Sequence, residues 1–174
     1  MKKIELLAPA GNMESLKAAV RGGADAIYLG GRSFGARAFA GNFNNEEIQE
    51  AIDYCHLRNV KVYITVNTLI ADEELSDFIE YVGFLYKIGG DALIVQDIGA
   101  ITLIKKYFPE MEIHASTQMT NNTSDDIIFL KNLGVKRVVI SREIPYTQIK
   151  AIQEKTQIEM EAFVHGALCI SYSG

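Results

Sequence analysis

Short apolar runs alternate with longer amphipathic stretches from one end of the chain to the other. The runs are Ile4–Leu7, Ala26–Leu29, Val62–Val66, Ala92–Val95, Ile113–Ala115, Val138–Ile140 and Met160–Val164. Each is brief and mostly apolar on both faces, the pattern of parallel strands covered by helices. Between them, apolar residues return at helical spacing. Leu75, Phe78, Ile79, Val82 and Leu85 form one stripe, with Glu73, Glu74, Asp77 and Glu80 away from it; Ile98, Ile101, Ile104 and Phe108 form another.

Punctuation agrees with this division. Asn44 and Asn45 precede Glu46 and Glu47, Asp72 precedes Glu73 and Glu74, and Ser124 precedes Asp125 and Asp126. Each group offers a side-chain acceptor and negative charge to a helix N-terminus. Pro145 suits a first helical turn, while Gly22-Gly23, Gly89-Gly90 and Gly134 suit left-handed helix ends. A weak echo joins Gly23-Ala24-Asp25-Ala26-Ile27-Tyr28, Gly90-Asp91-Ala92-Leu93-Ile94 and, more loosely, Gly134-Val135-Lys136-Arg137-Val138-Val139. The repeated unit is helix, glycine, short loop, buried strand, which builds a parallel α/β sheet.

Two architectures fit, a doubly wound open sheet and a (β/α)₈ TIM-barrel-like fold. The first turn, Ala8-Pro9-Ala10-Gly11-Asn12, lacks the glycines of a dinucleotide loop, so the barrel is favoured. Barrels take about 250 residues, whereas this chain has 174 and ends after its seventh strand run. The expectation is an incomplete barrel spanning residues 1–174 as a single N-terminal domain, with the eighth βα unit missing. Unpaired edges on the first and last strands then predict self-association.

Composition narrows the classes. Hydrophobic residues at 48% and charged residues at 22% are ordinary for a folded domain, and a net charge of −5 argues against wrapping nucleic acid by bulk charge. No apolar run approaches the roughly 18–20 residues of a membrane span. Cys55 and Cys169 are far apart in the chain and form no disulfide framework, so a reducing cytoplasm is the expected setting.

Chemistry in such a fold belongs at the C-terminal ends of the strands. Polar residues collect there: Arg32 and Arg37 after the second strand, Asn67 after the third, Gln96 and Asp97 after the fourth, Ser116 and Gln118 after the fifth, Arg142 and Glu143 after the sixth, His165 after the seventh. Local roles compete with function at each place. Asn67 and Ser116 suit turns or caps, Asp97 a helix cap, Arg142 and Glu143 a surface pair, and His114 a satisfied interior histidine. Glu5, within the first apolar run, must be paired or face a polar barrel mouth. The chain contains no His-Glu-x-x-His and no P-loop.

The last stretch is the most specific. Glu161, Phe163, Gly166, Ala167, Leu168, Cys169 and Gly174 match Glu-x-Phe-x-x-Gly-Ala-Leu-Cys, four residues, Gly. With Glu5-Leu6-Leu7-Ala8-Pro9-Ala10-Gly11-Asn12, Gly23-Ala24-Asp25-Ala26, Ala115-Ser116-Thr117-Gln118 and Arg142-Glu143, the chain resembles the collagenase-like peptidases of unassigned catalytic type, peptidase family U32. The resemblance implies a barrel-like domain followed by further sequence. Some members of that family are called proteases; others support hydroxylation of a uridine in tRNA or a cytidine in rRNA and hold an iron–sulfur cluster on cysteines.

By that resemblance, Cys169 matches the first cysteine ligand of a 4Fe-4S cluster, whose other cysteines are missing from this chain. An RNA hydroxylase is the favoured expectation for the intact protein, with tRNA or rRNA as partner. An endopeptidase acting on a peptide is the alternative, using Glu161 or Glu143 as base and His165 or His114 beside it; Cys169 near His165 is a further nucleophile arrangement. Arg142 joins the catalytic candidates, and Glu5, Arg37, Asn67, Gln96, Asp97, His114, Ser116 and Gln118 are the substrate-binding ones. A third expectation is that the isolated chain is inert or a scaffold.

Overall fold

A computed structural model of the chain describes residues 4–36 and 42–166. Seven strands run in the sheet in chain order: β1 (Leu7–Ala10), β2 (Ala26–Gly30), β3 (Lys61–Val66), β4 (Ala92–Val95), β5 (Glu112–Ala115), β6 (Arg137–Val139) and β7 (Glu159–Glu161). Between them lie α1 (Met13–Arg21), α2 (Asn45–His56), α3 (Leu75–Lys87), α4 (Ile98–Tyr107), α5 (Ser124–Asn132) and α6 (Tyr146–Thr156). The βα alternation read from the apolar pattern is therefore present throughout. The chain divides into two compact units, Met1–Leu93 and Ile94–Gly174.

In the first unit β1 pairs with β2 and β2 with β3, all parallel. Ile27, Leu29, Val62, Ile64 and Val66 are buried with Leu16, Ile48, Ile52, Phe78, Val82 and Leu85 from the helices. The stripe expected on α3 is present, though Tyr81 shares its buried face. The first strand differs from the expected Ile4–Leu7. It begins at Leu7 and takes in Pro9, which pairs with Tyr28. Proline is tolerated there because β1 has a described strand neighbour on one side alone.

The second unit repeats the scheme with β5 on β6 and β6 on β7, again parallel. Val138, Val139, Ile113, Ile101, Ile104, Ile127, Leu130 and Ile152 are buried. Ile98, expected on the apolar face of α4, stays 49% exposed, and Ala100 is buried instead. The seventh strand is Glu159–Glu161 rather than Met160–Val164; Val164 is 92% exposed and gains nothing from pairing.

Capping chemistry sets the helix starts. Asn44 Oδ1 accepts from Glu47 N at 2.8 Å while Glu47 Oε2 accepts from Asn44 N at 2.7 Å, a reciprocal box. Thr123, rather than Ser124, caps α5, pairing with Asp126 in the same way. Asp72 is no cap. It opens a 3₁₀ turn, Asp72–Glu74, whose entry is held by Glu74 Oε2 accepting from Ala71 N at 2.9 Å.

The internal echo has a physical basis. Gly23, Gly89 and Gly134 adopt φ of 92°, 87° and 89°, the left-handed turn that releases each helix. Two residues later, Asp25 N donates to Leu6 O at 2.9 Å, Asp91 N to Val62 O at 3.0 Å and Lys136 N to Ile113 O at 2.9 Å. In the two aspartate copies the carboxylate closes a clasp. Asp25 Oδ2 accepts from Leu6 N at 3.0 Å and Asp91 Oδ2 from Val62 N at 2.7 Å. Lys136 has no carboxylate, which is why the third copy looked looser.

Candidate functional site

In the first unit the residues beyond β2 and β3 brace one another. Asn67 Oδ1 accepts from Ala36 N at 3.1 Å and Thr68 Oγ1 donates to Phe34 O at 3.1 Å. Phe34 sits at φ 58°, uncommon for a bulky residue, with its ring edge-on to Phe78 at 5.3 Å. Gly31 runs so close to α3 that a methyl group there would collide with the Tyr81 hydroxyl. Asn67 thus acts first as a loop brace, the local role anticipated for it. Arg32 is exposed, and Arg37 lies outside the described residues.

Glu5 is also placed differently from expectation. It precedes β1 rather than lying within it, and Tyr63 Oη stands 2.9 Å and 3.0 Å from its two carboxylate oxygens. The carboxylate is paired at the N-terminal end of the strand, away from the end where barrel chemistry is expected.

The second unit holds most of the remaining candidates. Gln96 is half-buried, and Asp97 caps α4, accepting from Ala100 N at 2.8 Å. Ser116 is buried and caps the 3₁₀ turn Thr117–Met119, accepting from Gln118 N at 3.3 Å, while Gln118 itself is exposed. His114 is fully buried on β5 with Nε2 2.9 Å from Glu112 Oε1. Its neighbour in register on β6 is Arg137, whose own neighbour on β7 is Glu159.

Arg137 is 9% exposed and reaches Glu159 Oε2 at 3.3 Å and Glu161 Oε2 at 3.7 Å. One face of β5, β6 and β7 therefore carries polar and charged side chains: Glu112, His114, Arg137, Glu159 and Glu161. Arg142, just past β6, lays its guanidinium 4.0 Å from the centre of the Phe163 ring. Glu143 and His165 are exposed.

Sequence reasoning missed Tyr63, Arg137 and Phe163 as partners. A signal for the ionic face was available in the alternation Glu112-Ile113-His114 and Glu159-Met160-Glu161, since charges two apart on a strand share a face. Among the described residues no group of three or more His, Cys, Asp or Glu side chains is placed to hold a metal ion. Cys55 is a buried thiol whose pKa burial pushes up to about 11, so it is protonated and unreactive. Cys169 lies outside the described residues. No described helix is long and apolar enough to cross a membrane.

Ordered parallel strands with a helix after each of the first six, and polar groups beyond the strand ends, define an α/β protein of the TIM-barrel-like class. The solved U32 peptidase Mk0906 shares this fold, with a TM-score of 0.79 at 12% identity over 92% of this chain and 68% of that one. The model of peptidase family U32 matches residues 11–174, and the chain belongs to that family. Among curated relatives, tRNA hydroxylation protein P1 of Bacillus subtilis is 40% identical over 99% of this chain and 41% of its own length. The 23S rRNA 5-hydroxycytidine synthase of Escherichia coli is 41% identical over 99% of this chain and 26% of its own. A collagenase of Porphyromonas gingivalis is 32% identical over 98% and 43%. The chain spans less than half the length of each.

Proposed function

We propose that this chain is the barrel-like portion of a cytoplasmic protein that supports hydroxylation of a pyrimidine in tRNA or rRNA. The observation that carries the reading is the identity of 40% and 41%, along nearly the whole chain, to relatives named for tRNA hydroxylation and 5-hydroxycytidine synthesis. The second unit suits such a substrate in part. Arg142 stacked on the 37% exposed Phe163 offers a cation and an aromatic face beyond β6 and β7. Ser116, Gln118, Glu143 and His165 are polar groups beyond its strand ends, and Arg137 stands 3.7 Å from Glu161 Oε2.

An iron–sulfur cluster is part of the proposal, with Cys169 as one ligand. The described residues do not supply the site: Cys55 is isolated and buried, and a cluster of this kind takes four thiolates. Its remaining ligands would come from sequence outside this chain. Such a cluster would supply one-electron transfer.

The test is to purify the longer parent protein without oxygen and compare its visible absorption and iron content with a Cys169→Ser variant. A brown protein whose iron falls in the variant is expected. A colourless, iron-free parent overturns the cluster reading. The collagenase relative favours a second reading, an endopeptidase, in which Glu161 or Glu143 acts as base. Cleavage of gelatin by the iron-free parent, lost in a Glu143→Gln variant, is what that reading requires.

A further inference from the structure

Phe163 and Arg142 meet beyond the ends of two neighbouring strands. Val139, the last residue of β6, is in register with Glu161, the last of β7, and Ile140 N donates to Glu161 O at 3.0 Å just past them. Arg142 follows Val139 by three positions and Phe163 follows Glu161 by two, so both leave the sheet at the end where barrel ligands sit. There the Arg142 guanidinium carbon lies 4.0 Å from the centre of the Phe163 ring. Gly166 runs close by, at φ 128°, where an added methyl group would touch Arg142 Nη2 at 3.8 Å.

The guanidinium covers one face of the ring, yet Phe163 remains 37% exposed and the next residue, Val164, 92% exposed. The exposure left to the ring lies on its other face and its edge. An open aromatic face at a strand end that carries ligands is a surface on which a planar ligand stacks.

The chemistry of the pair selects that ligand. A phenyl ring offers a phosphate no hydrogen bond, and the guanidinium is held against the ring. The surroundings are acidic: Glu143 follows Arg142, Glu161 lies two residues before Phe163, and the net charge of the chain is −5. Such a setting disfavours a phosphate and accepts an uncharged base. Every base has a π face, and an unpaired one stacks on an aromatic ring or a guanidinium plane. A base that is to be modified must leave the helical stack first.

We propose that Phe163, backed by Arg142, is a stacking platform for one unpaired pyrimidine base of RNA, and that Arg142 supports the ring rather than binding phosphate. The inference rests on RNA being the substrate, and it assigns the contact to the base and not to the backbone.

The test is fluorescence anisotropy of the full-length parent protein with labelled oligouridylate and oligocytidylate, and with an abasic ribose-phosphate oligomer of equal length. Tighter binding of the two base-bearing oligomers is expected. Phe163→Leu should weaken it at least about fivefold and leave the abasic oligomer unaffected, whereas Phe163→Tyr should retain it. Arg142→Gln should leave the salt dependence unchanged; loss of a phosphate contact would instead lower the slope of log K against log salt by about one. The chain has no tryptophan, so Phe163→Trp adds a reporter at the site. Its emission should be quenched by the base-bearing oligomers and not by the abasic one, a readout that keeps an aromatic ring in place and is independent of how Phe163→Leu folds.

Equal affinity for base-bearing and abasic oligomers overturns the platform, as does a fall in salt slope in Arg142→Gln. So does gelatin binding that is lost in Phe163→Leu while no oligomer binds, which would assign the ring to a peptide. Hydroxylated nucleosides in a strain lacking the parent test RNA hydroxylation separately. If they vanish on deletion while Phe163→Leu binds the oligomers as the wild type does, the platform alone is overturned.

Discussion

Among the described residues nothing receives the Tyr81 hydroxyl, which is buried where α3 meets Gly31. Removing an orphaned hydroxyl forfeits no bond, so Tyr81→Phe is expected to leave stability unchanged or raise it by up to about 1 kcal/mol. Gly31→Ala should do the opposite, because the new methyl group meets Tyr81 and also Ile48 Cδ1 at 3.2 Å. In a denaturant-based double-mutant cycle, Tyr81→Phe should relieve part of the Gly31→Ala loss. Additive effects would show that the two residues do not touch.

Burial also raises the Tyr81 pKa from 10.0 to about 12 and that of Cys55 from 9.0 to about 11. Between the ordinary and raised values the folded chain keeps protons that the unfolded chain has lost. Stability therefore falls as pH rises through that window, from about pH 9 to about pH 12. Urea titrations across it should show the fall, and Tyr81→Phe should flatten its upper part. A midpoint that holds steady over the whole window would contradict the buried neutral forms.

The clasp between successive βα units is the device that repeats. Asp25 and Asp91 each bind the strand before them through carboxylate and backbone, whereas Lys136 does so through backbone alone. Asp25→Ala and Asp91→Ala should each cost about 1–3 kcal/mol, the larger loss falling on the better-covered Asp91, which also meets His56 Nε2 at 2.8 Å. Lys136→Ala should be close to neutral. Equal losses at all three positions would remove the carboxylate from the explanation.

These features were legible because they are local. A glycine, a strand and an aspartate lie within six positions, and the caps of Asp97, Ser116 and Asn44 lie within three or four. What the sequence concealed is what crosses between elements. Arg137 meets Glu159 across 22 positions, and Tyr63 meets Glu5 across 58, so neither pair leaves a periodic trace. The start of β1 was misplaced for another reason. Ile4–Leu7 has the composition of a strand, but pairing with β2 selects Leu7–Ala10 despite Pro9.

At the scale of the whole chain, β1 and β7 stand at the two ends of the strand order. Open strand edges invite pairing with another copy. The 174-residue chain is expected to self-associate in a concentration-dependent way, as read by sedimentation velocity. A monomer that melts cooperatively at high concentration would count against it. The seven-strand α/β fold and the U32 family were both legible from the sequence, the fold from apolar periodicity and the family from the stretch Glu161–Cys169. Roles for individual residues were less so, since Asn67, Asp97 and Ser116 each have a structural bond that accounts for their place.

Support for hydroxylation of a pyrimidine of tRNA or rRNA is the activity proposed for the parent protein. The most direct measurement is mass spectrometry of nucleosides from purified tRNA and rRNA of cells that lack the parent, complemented with wild type or with Cys169→Ser. A hydroxypyrimidine that vanishes on deletion, returns with wild type and stays absent with the variant is expected. An unchanged set of hydroxylated nucleosides in the deletion strain would contradict it.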